Sequence, residues 1–142
     1  GAVRATETRM NSDAIRRALA VLNQHKAEWA DNPLVFVGGT AATLAAVKLK
    51  LREYRSELVH GQMLSCQDVN EIYNKLNSLT LPERRLIPGL QPERADIIPS
   101  GALIIKIIME ELNRDYITVS ESDILDGMIW KNQGREQNHY FN

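Results

Sequence analysis

The pattern best suited to chemistry lies in PLVFVGGTAATLAAV, residues 33–47. Val35, Phe36 and Val37 read as a short buried strand that begins after Pro33, because β-branched and aromatic side chains suit the pleat. Gly38 and Gly39 end it. From Thr40, placed as an N-cap, the Ala-rich composition favours a helix. A strand, a glycine turn and a helix in this order bring backbone N–H groups and the positive end of a helix dipole to one point, which suits a phosphate. The same pattern describes a tight turn with no ligand, and on local grounds alone that reading is favoured.

Other reactive residue types have no spacing that makes a site. Cys66 stands alone and reads as a small semi-buried residue, not a nucleophile. His25, His60 and His139 are scattered and offer no metal-ligand spacing. There is no Ser-His-Asp arrangement, P-loop or dinucleotide fingerprint. Asp13, Glu28, Glu110 and Glu111 belong to helical polar faces, where solvated charge is the default. No catalytic residue and no metal ligand is therefore assigned within the chain.

With 142 residues, 44% of them hydrophobic and 25% charged, the chain has the size and composition of one globular domain. Lys and Arg number 17 against 18 acidic residues, so no basic excess points to nucleic acid. A single cysteine excludes an internal disulfide and points to a reducing, cytoplasmic setting. The longest apolar run, Ala102 to Met109, contains Lys106 and is too short to span a membrane.

The elements that must hold the glycine turn follow from periodicity and punctuation. GAVRAT reads as the end of a strand and starts without Met, as in a piece cut from a longer chain. Ser12 is placed to cap a helix carrying Ile15, Leu19, Leu22 and Trp29 on one face. Lys48 to Glu57 reads as a charged, solvated extension of the Ala-rich helix, broken at Val59-His60-Gly61. Ser65 with Asp68 and Thr80 with Glu83 form capping boxes, the first ahead of Val69, Ile72, Tyr73, Leu76 and Leu79. Gln91 to Leu112 reads as one largely buried helix with Pro92 in its first turn and a bend at Pro99. Tyr116 to Val119 is a second short strand, Ser120 with Asp123 caps a last helix, DILDGMIW, and residues 131–142 are a polar tail.

Six segments at these intervals, GAVRATE, VFVGGTAATLAAV, VHG, LTLPERRLIPGL, QPERADIIPSGALII and ITVSES, resemble the exopolyphosphatase/guanosine pentaphosphate phosphohydrolase (Ppx/GppA) family. The resemblance implies an α/β fold: a partial, helix-rich ribonuclease-H-like domain of the actin-like ATPase superfamily, with few strands. Residues 1–130 would be the latter part of the second domain of such a protein. GAVR would end its third strand, LVFV would be the fourth and YITV the fifth, the last two lying side by side in parallel. The implied activity is hydrolysis of a terminal phosphoanhydride, on inorganic polyphosphate or guanosine pentaphosphate. The alternative is a non-catalytic module of the same fold that binds phosphorylated ligands or a partner.

The resemblance also redistributes roles among residues. It turns Gly38, Gly39 and Thr40 into part of a substrate-cleft wall, and it matches Arg94 and Asp96 to the family's RAD segment. For Arg94 a phosphate contact and a local ion pair or cap stand as equals. His60 falls in VHG, where a structural turn is favoured. The two glycine-rich phosphate loops and the first-domain glutamate of the family are not among these residues. Ser122 and Leu125 stand where many relatives carry arginine. Mg²⁺ is implied for the complete enzyme, held by phosphate oxygens and by carboxylates outside this chain. The implied partners are the remaining part of the protein and, through an uncovered strand edge, a second copy.

Overall fold

The computed structural model describes residues 1–122. The last helix with its Asp123 cap, Leu125, His139, the domain limit at residue 130 and the tail 131–142 lie outside the described residues.

The Val-rich strand and YITV do pair in parallel. Strand β1 (Val35–Val37) sets Val35 opposite Thr118, Phe36 opposite Val119 and Val37 opposite Ser120 of β3 (Tyr116–Ser120). A third strand, β2 (Met63–Ser65), lies antiparallel on the other side of β3, giving the order β1-β3-β2. Three residues are too short to display alternation, so β2 depends on β3 and has no signal of its own. Leu64, Ile117 and Val119 point from the sheet into the core, with Leu34 and Phe36 packed against it. Among the described residues β1 has a neighbour on one side only, and Val35 and Val37 are exposed.

Helix α4 (Gly39–Lys48) follows β1 and buries Ala41, Ala42, Leu44, Ala45 and Ala46. It ends at Lys48, and Lys50 takes a left-handed conformation with φ 52°, so the charged stretch does not extend the helix. Lys48 instead donates to the Met63 carbonyl at 3.0 Å and to the Asp68 carboxylate at 2.8 Å.

Two other expectations are corrected. GAVRAT contributes no strand: Ala2–Glu7 form helix α1, whose alanines favour a helix and let it bury Ala5 as it packs on a later helix. Ser12 is not the cap either. Asn11 Oδ1 accepts from the Ala14 N–H at 2.9 Å and opens α2 (Ser12–Ala18), with α3 (Leu22–His25) as a separate turn. Farther along come α5 (Ser56–Val59), α6 (Cys66–Ser78) and α7 (Leu81–Arg84). Both capping boxes are present, at the starts of α6 and α7.

The long helix anticipated from Gln91 is in fact a 3₁₀ turn, Pro92–Arg94, followed by α8 (Ile98–Glu111). Pro99 sits in the first turn of α8, where its missing N–H has no partner to lose, so it starts the helix instead of bending it. Helix α8 packs on α1, α4 and α6 and buries Ile98, Ala102, Ile105 and Met109. No helix among the described residues is long and apolar enough to cross a membrane.

The Ser65–Asp68 cap ties β2, α6 and α4 together. Burial pushes the Asp68 carboxyl up, but the Lys48 ammonium and the Ser65 N–H and hydroxyl outweigh it and hold it below the ordinary 3.8. The charged form is thus favoured in the folded state. Its contribution is present above pH 3.8 and is lost as pH falls through the lowered value. Asp68→Asn should destabilise the chain by about 1–2 kcal/mol at pH 7, by loss of cap and ion pair. Urea unfolding at pH 7 and pH 3 checks this: the difference between wild type and variant should shrink on acidification.

Candidate functional site

Parallel strands open their carboxyl ends on one side of a sheet, where α/β proteins place ligands. At that end of β1, Gly38 adopts φ 89°, a left-handed conformation that an L side chain adopts only under strain, and the chain turns directly into α4. Gly38 is the N-cap of α4. Thr40, expected in that place, is the second helical residue, because the glycine turn brings the helix start one residue earlier. No side chain caps the first turn, so the leading N–H groups of a ten-residue helix have no side-chain acceptor.

Arg94 occupies the space in front of that turn. A Cβ on Gly39 would collide with the Arg94 guanidinium, with Cζ 2.6 Å away. The guanidinium therefore lies on the Gly39 backbone where only a glycine leaves room. Its Nε donates to Gln91 Oε1 at 2.8 Å, and it makes no ion pair with Asp96. The ion-pair form of the local alternative lacks its partner, whereas the Gln91 contact is a local tie across the Pro92–Arg94 turn. Gly39, Thr40, Arg94, Ile97, Arg4 and Glu7 line one concavity of about 640 Å³. Gly38 shapes the turn without lining it.

The position of α8 fixes this convergence. A Cβ on Gly101 would lie 2.5 Å from Thr40 Cγ2, 2.9 Å from Thr40 Oγ1 and 3.2 Å from Ala2 Cβ. The glycine lets α8 approach α4 and α1 together, which sets Arg4 beside the start of α4.

Sequence reasoning misses Arg4 and Glu7 because GAVRAT reads as the end of a strand; the helix-forming composition of AVRATE is the available signal. Tyr54 is 44% exposed, in keeping with the solvated face expected for its stretch. Burial and the Glu121 carboxylate push the Tyr54 phenol up, with Arg94 pulling against them. Asp96 and Glu93 are exposed and do not line the concavity. His60 is structural, as expected: its Nδ1 accepts from the Glu121 N–H at 3.2 Å and ties the turn before β2 to the end of β3. Burial, then Asp115 and Glu110, push the Cys66 thiol up, and its Sγ donates to the Arg114 carbonyl at 2.9 Å, an arrangement for packing and not for nucleophilic attack. Among the described residues no three His, Cys, Asp or Glu gather to hold a metal, and Glu7 is the sole carboxylate lining the concavity. That donor set does not make a Mg²⁺ cage.

Residues 1–136 match the Ppx/GppA phosphatase family. The chain belongs to that family. Over 98 residues it is 33% identical to Exopolyphosphatase 2 of Mycobacterium tuberculosis, a match covering 66% of this chain and 31% of that protein. It is 35% identical over 96 residues to a bifunctional 3-dehydroquinate synthase/phosphatase of Fusobacterium nucleatum, covering 68% of this chain and 14% of that one. The structure of the Ppx/GppA phosphatase of Aquifex aeolicus superimposes with a TM-score of 0.75 at 23% identity, over 92% of this chain and 46% of that one. An exopolyphosphatase-like protein does so with a TM-score of 0.72 at 26% identity, over 93% and 48%. The fold is thus the actin-like one of Ppx/GppA structures, and the chain spans less than a third of these curated relatives and about half of the solved structures.

The two glycines should respond differently to alanine. At Gly38 the backbone, φ 89° with ψ 174°, lies where essentially only glycine is found, so Gly38→Ala should cost about 1–3 kcal/mol. At Gly39 the obstacle is the movable end of Arg94, so Gly39→Ala should change stability by less than about 0.5 kcal/mol while displacing the guanidinium. Thermal unfolding of both variants checks the contrast.

Proposed function

We propose that this chain is one wall of the substrate cleft in a phosphoanhydride hydrolase that releases terminal phosphate from inorganic polyphosphate or guanosine pentaphosphate. The observation that carries the reading is the Arg94 guanidinium seated on Gly39 at an uncapped helix start inside an open concavity. Membership of the Ppx/GppA phosphatase family and likeness to an exopolyphosphatase support it.

In this reading the N–H groups of Gly39 and Thr40 donate to phosphate oxygens, Gly38 supplies the turn, and Arg94 offers a planar fork to a phosphoryl group. These donors neutralise charge on the non-bridging oxygens and hold the phosphoanhydride in line for attack by water. The base that activates the water and the glycine-rich phosphate loops belong to the remainder of a cytoplasmic protein, in which residues 1–130 form the latter part of the second domain. Mg²⁺ in that protein is held by phosphate oxygens and by carboxylates outside this chain. The uncovered side of β1 pairs with the rest of its own domain or with a second copy, since an exposed strand edge invites pairing.

The second reading, a binding module without turnover, draws on Ser122. Its N–H donates to Ser120 Oγ at 3.2 Å, and the family resemblance sets it at a position where it implies an arginine. Loss of that charge removes an anion contact from the end of β3.

Positioning, charge neutralisation and water activation act as a unit, so one wall retains no proportionate share of the rate. The 142-residue chain alone should therefore release no phosphate from polyphosphate or guanosine pentaphosphate with Mg²⁺. A phosphate-release assay checks this, repeated after addition of the remaining part of the protein. Restored turnover supports hydrolysis, and tight binding without turnover supports the second reading. Turnover by the chain alone contradicts both.

A further inference from the structure

The GAVRATE segment brings a second guanidinium to the cleft. Arg4 on α1 lines the same concavity as Arg94, although the two lie far apart in sequence. Helix α1 reaches this place because Gly101 admits Ala2 and Thr40 against α8 at once.

Several arginines of the chain are committed to structure, whereas Arg9, Arg17, Arg52 and Arg85 have no such partner among the described residues but do not line the concavity. Arg16 is clasped by Glu110 and Glu111. Arg55 pairs with Glu57. Arg114 holds the carbonyls of Trp29 and Ala30, and Arg84 donates to the carbonyl of Leu76. Among the described residues neither Arg4 nor Arg94 has a carboxylate within ion-pair distance. Two guanidinium groups and the Gly1 ammonium against the single carboxylate of Glu7 leave the concavity net positive. Its volume of about 640 Å³ is that of pockets taking whole small molecules, not one ion.

We propose that Arg4 is the second jaw of a clamp whose first jaw is Arg94, and that the pair selects linked phosphates over a single one. The proposal rests on the cleft reading above and deepens it. Arg94, with the N–H groups at the start of α4, meets one phosphoryl group. Arg4, on a separate helix across the concavity, meets the next groups of the same chain. A guanidinium suits each contact because its fork matches two phosphate oxygens at once. A single phosphate engages the Arg94 side only, so Arg4 contributes to long ligands and not to short ones.

Calorimetric titration of the 142-residue chain with orthophosphate, pyrophosphate and tripolyphosphate tests this, using wild type, Arg4→Ala, Arg94→Ala and, as a control, Arg17→Ala on the exposed face of α2. A charge-assisted contact is worth roughly tenfold or more in affinity. Wild type should prefer tripolyphosphate to orthophosphate by about tenfold or more. Arg4→Ala should remove most of that preference while leaving orthophosphate binding within about twofold. Arg94→Ala should weaken both ligands, Arg17→Ala neither, and circular dichroism should show all variants folded. Arg4→Lys should restore part of the preference, since charge returns without the fork. An unchanged preference in Arg4→Ala overturns the clamp and leaves the cleft reading standing if Arg94→Ala weakens binding. Equal weakening of all three ligands by Arg4→Ala also overturns it, because that marks general attraction. Failure of wild type to bind any of them overturns the cleft reading and the clamp together.

Discussion

The parallel pairing of β1 with β3 is the constraint on which the candidate site depends. Two parallel neighbours must be joined by a long crossover, here the whole span from α4 to α8, and both then end at the same rim of the sheet. The rim holds Gly38 after β1 and Glu121 after β3, the latter fastened through His60. Because β1 runs directly into α4, the turn that ends the strand also presents the start of a helix. Had the strands run antiparallel, these two ends would lie at opposite edges and Arg94 would have no rim to complete.

Packing then converts a rim into a concavity. Helix α4 is narrow, since its buried residues are mostly alanine, and Gly101 lets α8 come against it. Close approach of this kind leaves no room for added volume. The same contact seats α1, so the two arginines of the concavity owe their positions to a residue that touches neither. Charge is spent elsewhere in the chain on structure: Lys48 on Asp68, Arg16 on two glutamates of α8, Arg114 on backbone carbonyls. In the concavity two guanidinium groups, Arg4 and Arg94, face one carboxylate, Glu7.

Local features were legible in the sequence and relational ones were not. The strand Val35–Val37, the strand from Tyr116 and the boxes at Ser65 and Thr80 each rest on residues within a few positions of one another. The glycine pair was visible as a turn, whereas its contact with Arg94 emerges only from the fold. What escaped depended on distant partners. Strand β2 exists through its pairing with β3, Lys48 at the end of α4 reaches Asp68 on α6, and the chain after it turns away at Lys50 in a left-handed conformation. Pro99 was assigned the cost of an interior proline, although the helix begins just before it. Reading GAVRAT as a strand hides Arg4, one of the two guanidinium groups at the concavity.

The central claim is that anionic phosphate binds at the start of α4 beside Arg94. Titration of tripolyphosphate into the isotopically labelled chain, followed by amide and arginine side-chain NMR, tests it most directly. The account predicts that the largest shifts fall on the amides of Gly39, Thr40 and Ala41 and on the Arg94 side chain, and that they saturate together. Shifts concentrated instead on exposed arginines such as Arg17 and Arg85, with the amides at the start of α4 unmoved, would contradict it.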